Sequence, residues 1–170
     1  MLKLRCKTIL LALIFVFLIG CNADTTKAVK PNLRSISFTV DITYYNESYT
    51  ADCIIGSSGD FRVVMTSPDS LNGLLLEYSG NNCKVSYNEL VIDNAESFFP
   101  QISPVKLLKE VITNSESAQL VQDDKKIIMK GNHNGKKYYL SLAPTGLPLA
   151  LDFPDYGMSV AFKNVAVLNE

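Results

Sequence analysis

From Phe38 onward, apolar residues recur at every second position. Phe38, Val40, Ile42 and Tyr44 alternate with Thr39, Asp41, Thr43 and Tyr45. A period of two places one set on one face of an extended chain and the other set opposite, which describes a half-buried strand. The pattern restarts after each short polar break. Tyr49, Ala51, Cys53 and Ile55 follow the turn Asn46-Glu47-Ser48, and Phe61, Val63 and Met65 follow Gly56-Ser57-Ser58-Gly59-Asp60. Ser67-Pro68 breaks the third run. Leu74 to Tyr78 forms the next, Gly80-Asn81-Asn82 a hairpin turn, and Cys83, Val85 and Tyr87 the fifth. Five short strands joined by short turns make an antiparallel meander.

The middle of the chain changes period. Ser103-Pro104 has the form of an N-cap followed by proline at the first helical position. Val105, Leu108 and Ile112 then recur at helical spacing, with Leu107 and Val111 beside them, which predicts one helix over 104–113 with an apolar stripe. Phe98-Phe99-Pro100 before it reads as an aromatic linker or a second, short helix. Strands resume at Leu120 to Gln122, the Asp123-Asp124 turn, and Lys125 to Lys130. The turn Gly131-Asn132-His133-Asn134-Gly135 comes next. Lys136 to Ala143, Leu149 to Phe153 and a last run on Met158, Val160 and Phe162 complete the count. The expectation is a mainly β (α+β) body of about ten strands and one or two helices.

The first twenty residues obey a different rule. Lys3, Arg5 and Lys7 precede Ile9 to Ile19, an unbroken apolar run of about eleven residues, and Gly20 closes it. A basic start, a short apolar core and a small residue describe a secretory signal. A spanning helix needs roughly 20 apolar residues, so the run is too short for a permanent one. Loss of residues 1–20 removes three basic residues and no acid. The basic total falls from 16 to 13 against 17 acids, a net charge near −4. That balance argues against a nucleic-acid partner, which a basic surface would hold.

Leu18-Ile19-Gly20-Cys21 resembles the bacterial lipobox. The resemblance implies that the Cys21 thiol takes a diacylglyceryl group and that the chain is cut before it. Two acyl chains anchor stably where one does not, so the mature chain is expected outside the cytoplasm, lipid-anchored to the cell membrane, or to an outer membrane if the cell has one. Asn22 to Asn32 is polar and aperiodic, a leash of about ten residues. The expected organisation is a lipoprotein signal over 1–20, a lipidated linker over 21–34 and one folded body over 35–170. Of the four cysteines, only Cys53 and Cys83 fall within that body. Both lie on apolar strand faces, as small buried hydrophobes or as a pair.

The order of strands, "SPDSLNG", a helix, hairpins, "PTGLPLALDF" and a final "VAFKN" resembles the LolA/LolB-like lipoprotein-carrier superfamily over about Phe38 to Val167. The resemblance implies a strongly curved antiparallel sheet, an unclosed β-barrel, with helices covering its concave face. It also implies an apolar cavity that takes lipid or acyl chains. A curved sheet must cover its apolar face, and one ten-residue helix is small beside ten strands. The wall residues expected of such a cavity are Phe38, Val40, Ile42, Tyr44, Phe61, Val63, Met65, Leu74 and Leu76. Each would serve equally as ordinary core.

The residues offer little to an enzyme. His133 is the one histidine, in a polar turn between glycines, where no third group holds it against a nucleophile. No HExxH, CxxC or phosphate loop occurs. Asp152 and Asp155 flank Pro154, with nothing to set them across a cleft. The expectation is no catalytic residue, no metal and no cofactor. The function expected is a membrane-anchored lipoprotein that binds a hydrophobic or amphipathic ligand. The rival is a non-catalytic scaffold that docks on an exported protein partner, such as a cell-wall amidase.

Overall fold

In the computed structural model, which describes residues 31–98, 103–113, 119–123 and 126–169, eleven antiparallel strands form one curved, unclosed sheet. They are β1 (Ile36–Tyr44), β2 (Glu47–Ile55), β3 (Phe61–Ser67), β4 (Leu75–Ser79), β5 (Asn82–Tyr87) and β6 (Leu90–Ile92) in the first half. After the helix α1 (Pro104–Thr113) come β7 (Gln119–Asp123), β8 (Lys126–His133), β9 (Lys136–Leu142), β10 (Pro148–Phe153) and β11 (Met158–Val167). The spatial order is β6-β5-β4-β3-β2-β1-β11-β10-β9-β8-β7. Each half is a simple meander, and the first strand pairs with the last to join them. That pairing runs from Ile36 opposite Val167 to Tyr44 opposite Met158.

The alternation in the sequence becomes the two faces of the sheet. Ile36, Phe38, Val40 and Ile42 are buried from β1, and Phe61, Val63 and Met65 from β3. Leu140, Leu142, Leu151 and Phe153 are buried from β9 and β10. These residues share one core with Leu107, Leu108, Val111 and Ile112 of α1, so the helix lies against the concave face. The opposite face is polar. There Thr39 donates to Asp52 at 2.8 Å, and Lys163 pairs with Asp41, which holds that carboxyl below the usual carboxylate range.

The helix spans the residues its periodicity predicts, and ten of the eleven strands answer to sequence runs. The eleventh, β6, is three residues long, too short to display an alternation. Two hairpins are tighter than their polar residues suggest. The first turns on Tyr45-Asn46, with Glu47 and Ser48 already in β2. The second turns on Asn134-Gly135, both with positive φ (52° and 78°), as a two-residue hairpin requires. Gly131, Asn132 and His133 therefore belong to β8 and not to a turn.

Gly131 has a specific reason to be glycine. It sits opposite Tyr138 in the β8–β9 ladder, and a Cβ at Gly131 would collide with the Tyr138 ring. That ring is buried and rests 5.3 Å from Phe153, whose other neighbours are Tyr156 at 5.4 Å and His133 at 6.4 Å between centroids. His133 is thus half-buried at the edge of an aromatic cluster instead of exposed at a loop tip.

Cys53 and Cys83 do not bond in this fold. They lie on β2 and β5, with β3 and β4 between them, about 14 Å apart at the usual strand spacing and beyond a disulfide's reach. Both are buried, and burial pushes the Cys53 thiol far above its ordinary pKa. Among the described residues no helix is long and apolar enough to cross a membrane.

Gly131→Ala is expected to destabilise the chain by about 1–3 kcal/mol, because the Tyr138 ring has no room to retreat among its aromatic neighbours. Thermal denaturation of the two proteins measures it. An unchanged melting temperature would show that Tyr138 moves freely.

Candidate ligand cavity

The apolar face is not completely filled. A cavity of about 150 Å³ remains where the start of α1 meets the sheet. Its walls come from six pieces of chain. Ile42 projects from β1, Tyr49 from β2, Met65 from β3 and Leu76 from β4. Leu71 and Leu74 come from the connection between β3 and β4, and Ser103, Pro104 and Val105 from the head of the helix. Tyr49, Leu71, Leu74 and the helix residues are half-buried, so this side opens toward solvent, while Ile42, Met65 and Leu76 form the closed floor.

The β3–β4 connection is held in place by its own backbone. The Met65 N–H donates to the Leu74 carbonyl and the Gly73 N–H to the Met65 carbonyl, both at 2.9 Å. Gly73 has φ +86°, a conformation that favours glycine. The Leu71 N–H donates to the Pro68 carbonyl at 2.8 Å, forming a 3-10 turn over Asp69–Leu71. From β5, the Tyr87 hydroxyl donates to the Ser70 carbonyl at 3.3 Å. The "SPDSLNG" segment thereby presents two leucines to the cavity on a braced loop.

The helix is fixed from the far side. Lys109 is buried, its ammonium donates to the Gly80 carbonyl at 3.1 Å, and it stands 4.9 Å from the centre of the Tyr78 ring. Gly80 belongs to the β4–β5 turn, so this contact ties α1 to the same half of the sheet that forms the cavity. Leu107 and Leu108 are both completely buried, which leaves the helix enclosed on more than one side.

At the helix start the expected side-chain cap is not made. The Ser103 carbonyl accepts the Leu107 N–H at 2.9 Å, as the residue before a helix does. The Ser103 hydroxyl oxygen is shielded from solvent and has no hydrogen-bond partner among the described residues.

Four of the nine predicted wall residues, Ile42, Met65, Leu74 and Leu76, come together around the cavity. Phe38, Val40, Phe61 and Val63 share their face of the sheet but lie in packed core away from it, with Phe38 against Phe162 at 5.2 Å and Phe61 against Tyr78 at 6.2 Å between centroids. Tyr44, at the end of β1, packs on Tyr45 at 4.8 Å. Tyr49, Leu71, Ser103, Pro104 and Val105 are additions. Tyr49 and Val105 already carried the strand and helix periodicities. Only the docking of α1 brings them to one place.

The size sets what fits. A space of about 150 Å³ takes a group the size of a benzene ring or the end of one aliphatic chain, and its open side leaves the rest of a longer ligand outside. Among the described residues no three of His, Cys, Asp or Glu gather to hold a metal ion. Asp152 and Asp155 are both exposed. Cys21 lies outside the described residues.

Lys109→Met keeps the apolar stem and removes the ammonium. It should cost about 1–2 kcal/mol, through the lost charged hydrogen bond and ring contact. Chemical denaturation would register the loss, and stability equal to the parent would mean that α1 is held by its leucines alone.

Comparison with protein-family models and with curated proteins finds no match. Solved structures are similar in fold. An uncharacterized conserved protein from Thermus thermophilus superposes with a TM-score of 0.51 at 16% identity, over 79% of each chain. A LolA superfamily protein from Nitrosomonas europaea gives a TM-score of 0.45 at 12% identity, covering 84% of this chain and 89% of that one. The Mycobacterium tuberculosis lipoprotein LppX gives 0.38 at 13% identity, covering 86% and 90%. At these identities the likeness is one of architecture, a curved antiparallel sheet.

Proposed function

We propose that this chain is a membrane-tethered lipoprotein that holds the end of a single aliphatic chain between α1 and its curved sheet, without making or breaking a bond. One observation carries the reading. The cavity at the head of the helix is open on one side, and its floor of Ile42, Met65 and Leu76 is wholly apolar. A concave apolar site of this kind is where a protein takes an apolar group out of water. The tether rests on the sequence: a signal over 1–20, lipidation at Cys21, a linker over 21–34 and the body over 35–170, on the outer side of the membrane.

A second reading has its own support. On β6, an edge strand among the described residues, Leu90 is 60% exposed and Val91 52% exposed. A free edge of this kind suits strand addition by a protein partner. In that reading the chain is a scaffold for an exported protein and its cavity is incidental.

Native mass spectrometry separates the two. The mature chain carrying Cys21→Ala, exported behind a signal without a lipobox and purified without detergent, should retain an aliphatic ligand or take up a fluorescent fatty acid. Leu76→Glu, which puts a charge on the floor, should reduce uptake at least tenfold. Val105→Phe, at a half-buried position, should fill the cavity, reduce uptake and leave the fold intact. Full uptake by a folded Val105→Phe chain would exclude this cavity as the site.

The tether has its own test. In the native host, Cys21→Ala should abolish incorporation of radioactive palmitate and leave an uncut precursor. Persistent labelling would place the anchor elsewhere.

A further inference from the structure

We infer that the mouth of the cavity carries a subsite for a cationic head of the quaternary ammonium class, formed by Tyr44, Tyr45, Tyr49 and Glu47. This subsite presupposes the cavity function proposed above and names the head of the chain held there. Its place follows from strand register. Ile42 on β1 stands opposite Tyr49 on β2, and both line the cavity. Two residues further along β1, Tyr44 stands opposite Glu47. Strand alternation keeps these side chains on the same concave face, and two residues of strand span about 7 Å. A short aliphatic chain lodged over Ile42 therefore brings its head beside Tyr44 and Glu47.

The rings make a corner there. Tyr44 and Tyr45 meet nearly edge to face, 4.8 Å between centroids and 70° between planes. Burial, and then the neighbouring phenols of Tyr45, Tyr49 and Tyr156, hold the Tyr44 hydroxyl above the usual phenol range, so the four rings share one neighbourhood. Tyr45 is 61% exposed, and core packing does not account for its ring. Its backbone has φ +52°, a left-handed conformation that glycine and asparagine adopt more readily than tyrosine. A bulky residue kept at such a position points to a use for its side chain. The ring is also fixed. The Tyr45 N–H donates to the Gly157 carbonyl at 2.8 Å, and a Cβ on Gly157 would meet the ring at 3.2 Å.

Charge selects the head. The face of an aromatic ring is negative and attracts a cation, and quaternary ammonium groups are recognised by corners and cages of such rings. Glu47 adds a full negative charge beside them. It is exposed and makes no hydrogen bond or ion pair among the described residues. Asp155, next to Tyr156, is a second exposed carboxylate at this end of the sheet. An anionic head would be repelled at the same place, and a neutral head would gain from neither the ring faces nor the carboxylate.

The test uses three probes with one chain length, hexyltrimethylammonium, 1-hexanol and hexanoate. Each is titrated into the mature Cys21→Ala chain and followed by methyl NMR at Met65 and the leucines. Hexyltrimethylammonium should bind tightest and hexanoate weakest. Tyr45→Asn removes the ring and suits the left-handed backbone, so the melting temperature should hold or rise. It should weaken the cation about threefold, the worth of one exposed cation–π contact, and leave 1-hexanol unchanged. Glu47→Gln should weaken the cation, tighten hexanoate and remove most of the effect of added salt on both. Equal affinity for the three probes, or a cation preference that survives both substitutions, overturns the head subsite and leaves the cavity standing. Cation binding that Val105→Phe does not weaken keeps the aromatic corner and removes the chain cavity. Failure of every probe to bind removes both.

Discussion

The pairing of β1 with β11 is the constraint on which the molecule depends. Without it the chain is two separate meanders, each with two open edges and an apolar face too small to bury. With it, the first and last strands stand side by side at the centre of one sheet, and the apolar rows of both halves run on as a single surface. The two edges of the joined sheet are then β6 and β7, which are neighbours in sequence. The chain between them has to cross from one edge to the other, and the helix it carries comes to rest on the concave face. The terminal pairing therefore decides the position of α1, although α1 lies far from either terminus in sequence.

The cavity is a consequence of unequal sizes. Eleven strands offer more apolar surface than one ten-residue helix covers. Most of the surplus is absorbed by curvature, which lets inward side chains from distant strands meet each other. Phe38 meets Phe162, and Tyr138 meets Phe153. What is left over is small and sits at one end, where Pro104 starts the helix and the β3–β4 connection folds over. Lys109 holds the helix close to the same half of the sheet, so the remaining space is bounded by fixed walls. Similarity in fold to solved structures describes the architecture and leaves the ligand to be argued from this chain's own residues.

Legibility followed the length scale of the interaction. β1 and β3 were plain because their burial alternates residue by residue, and α1 was plain because Pro104 opens it and its leucines and valines recur at helical spacing. β6 was hidden because three residues, Leu90, Val91 and Ile92, carry no readable period. The two-residue hairpin at Asn134-Gly135 was obscured by the polar residues before it. Gly131 reads locally as a turn residue, whereas its function is to admit the Tyr138 ring. The cavity divides in the same way. Its sheet residues could be placed on the right face, yet nothing local distinguishes Met65, which lines the space, from Val63, which lies in packed core.

The sequence by itself determined most of the local elements, the inward face of the strands long enough to alternate, and the apolar stripe of the helix. These follow from periodicity and residue chemistry, which act over a few positions. Only the tertiary structure decided that the terminal strands pair, that α1 docks over one half of the sheet, that Cys53 and Cys83 are held apart, and that a cavity remains where the head of the helix meets β1 to β4. Those outcomes depend on the order of strands across the sheet, and strand order brings together residues far apart in the chain that no local pattern relates.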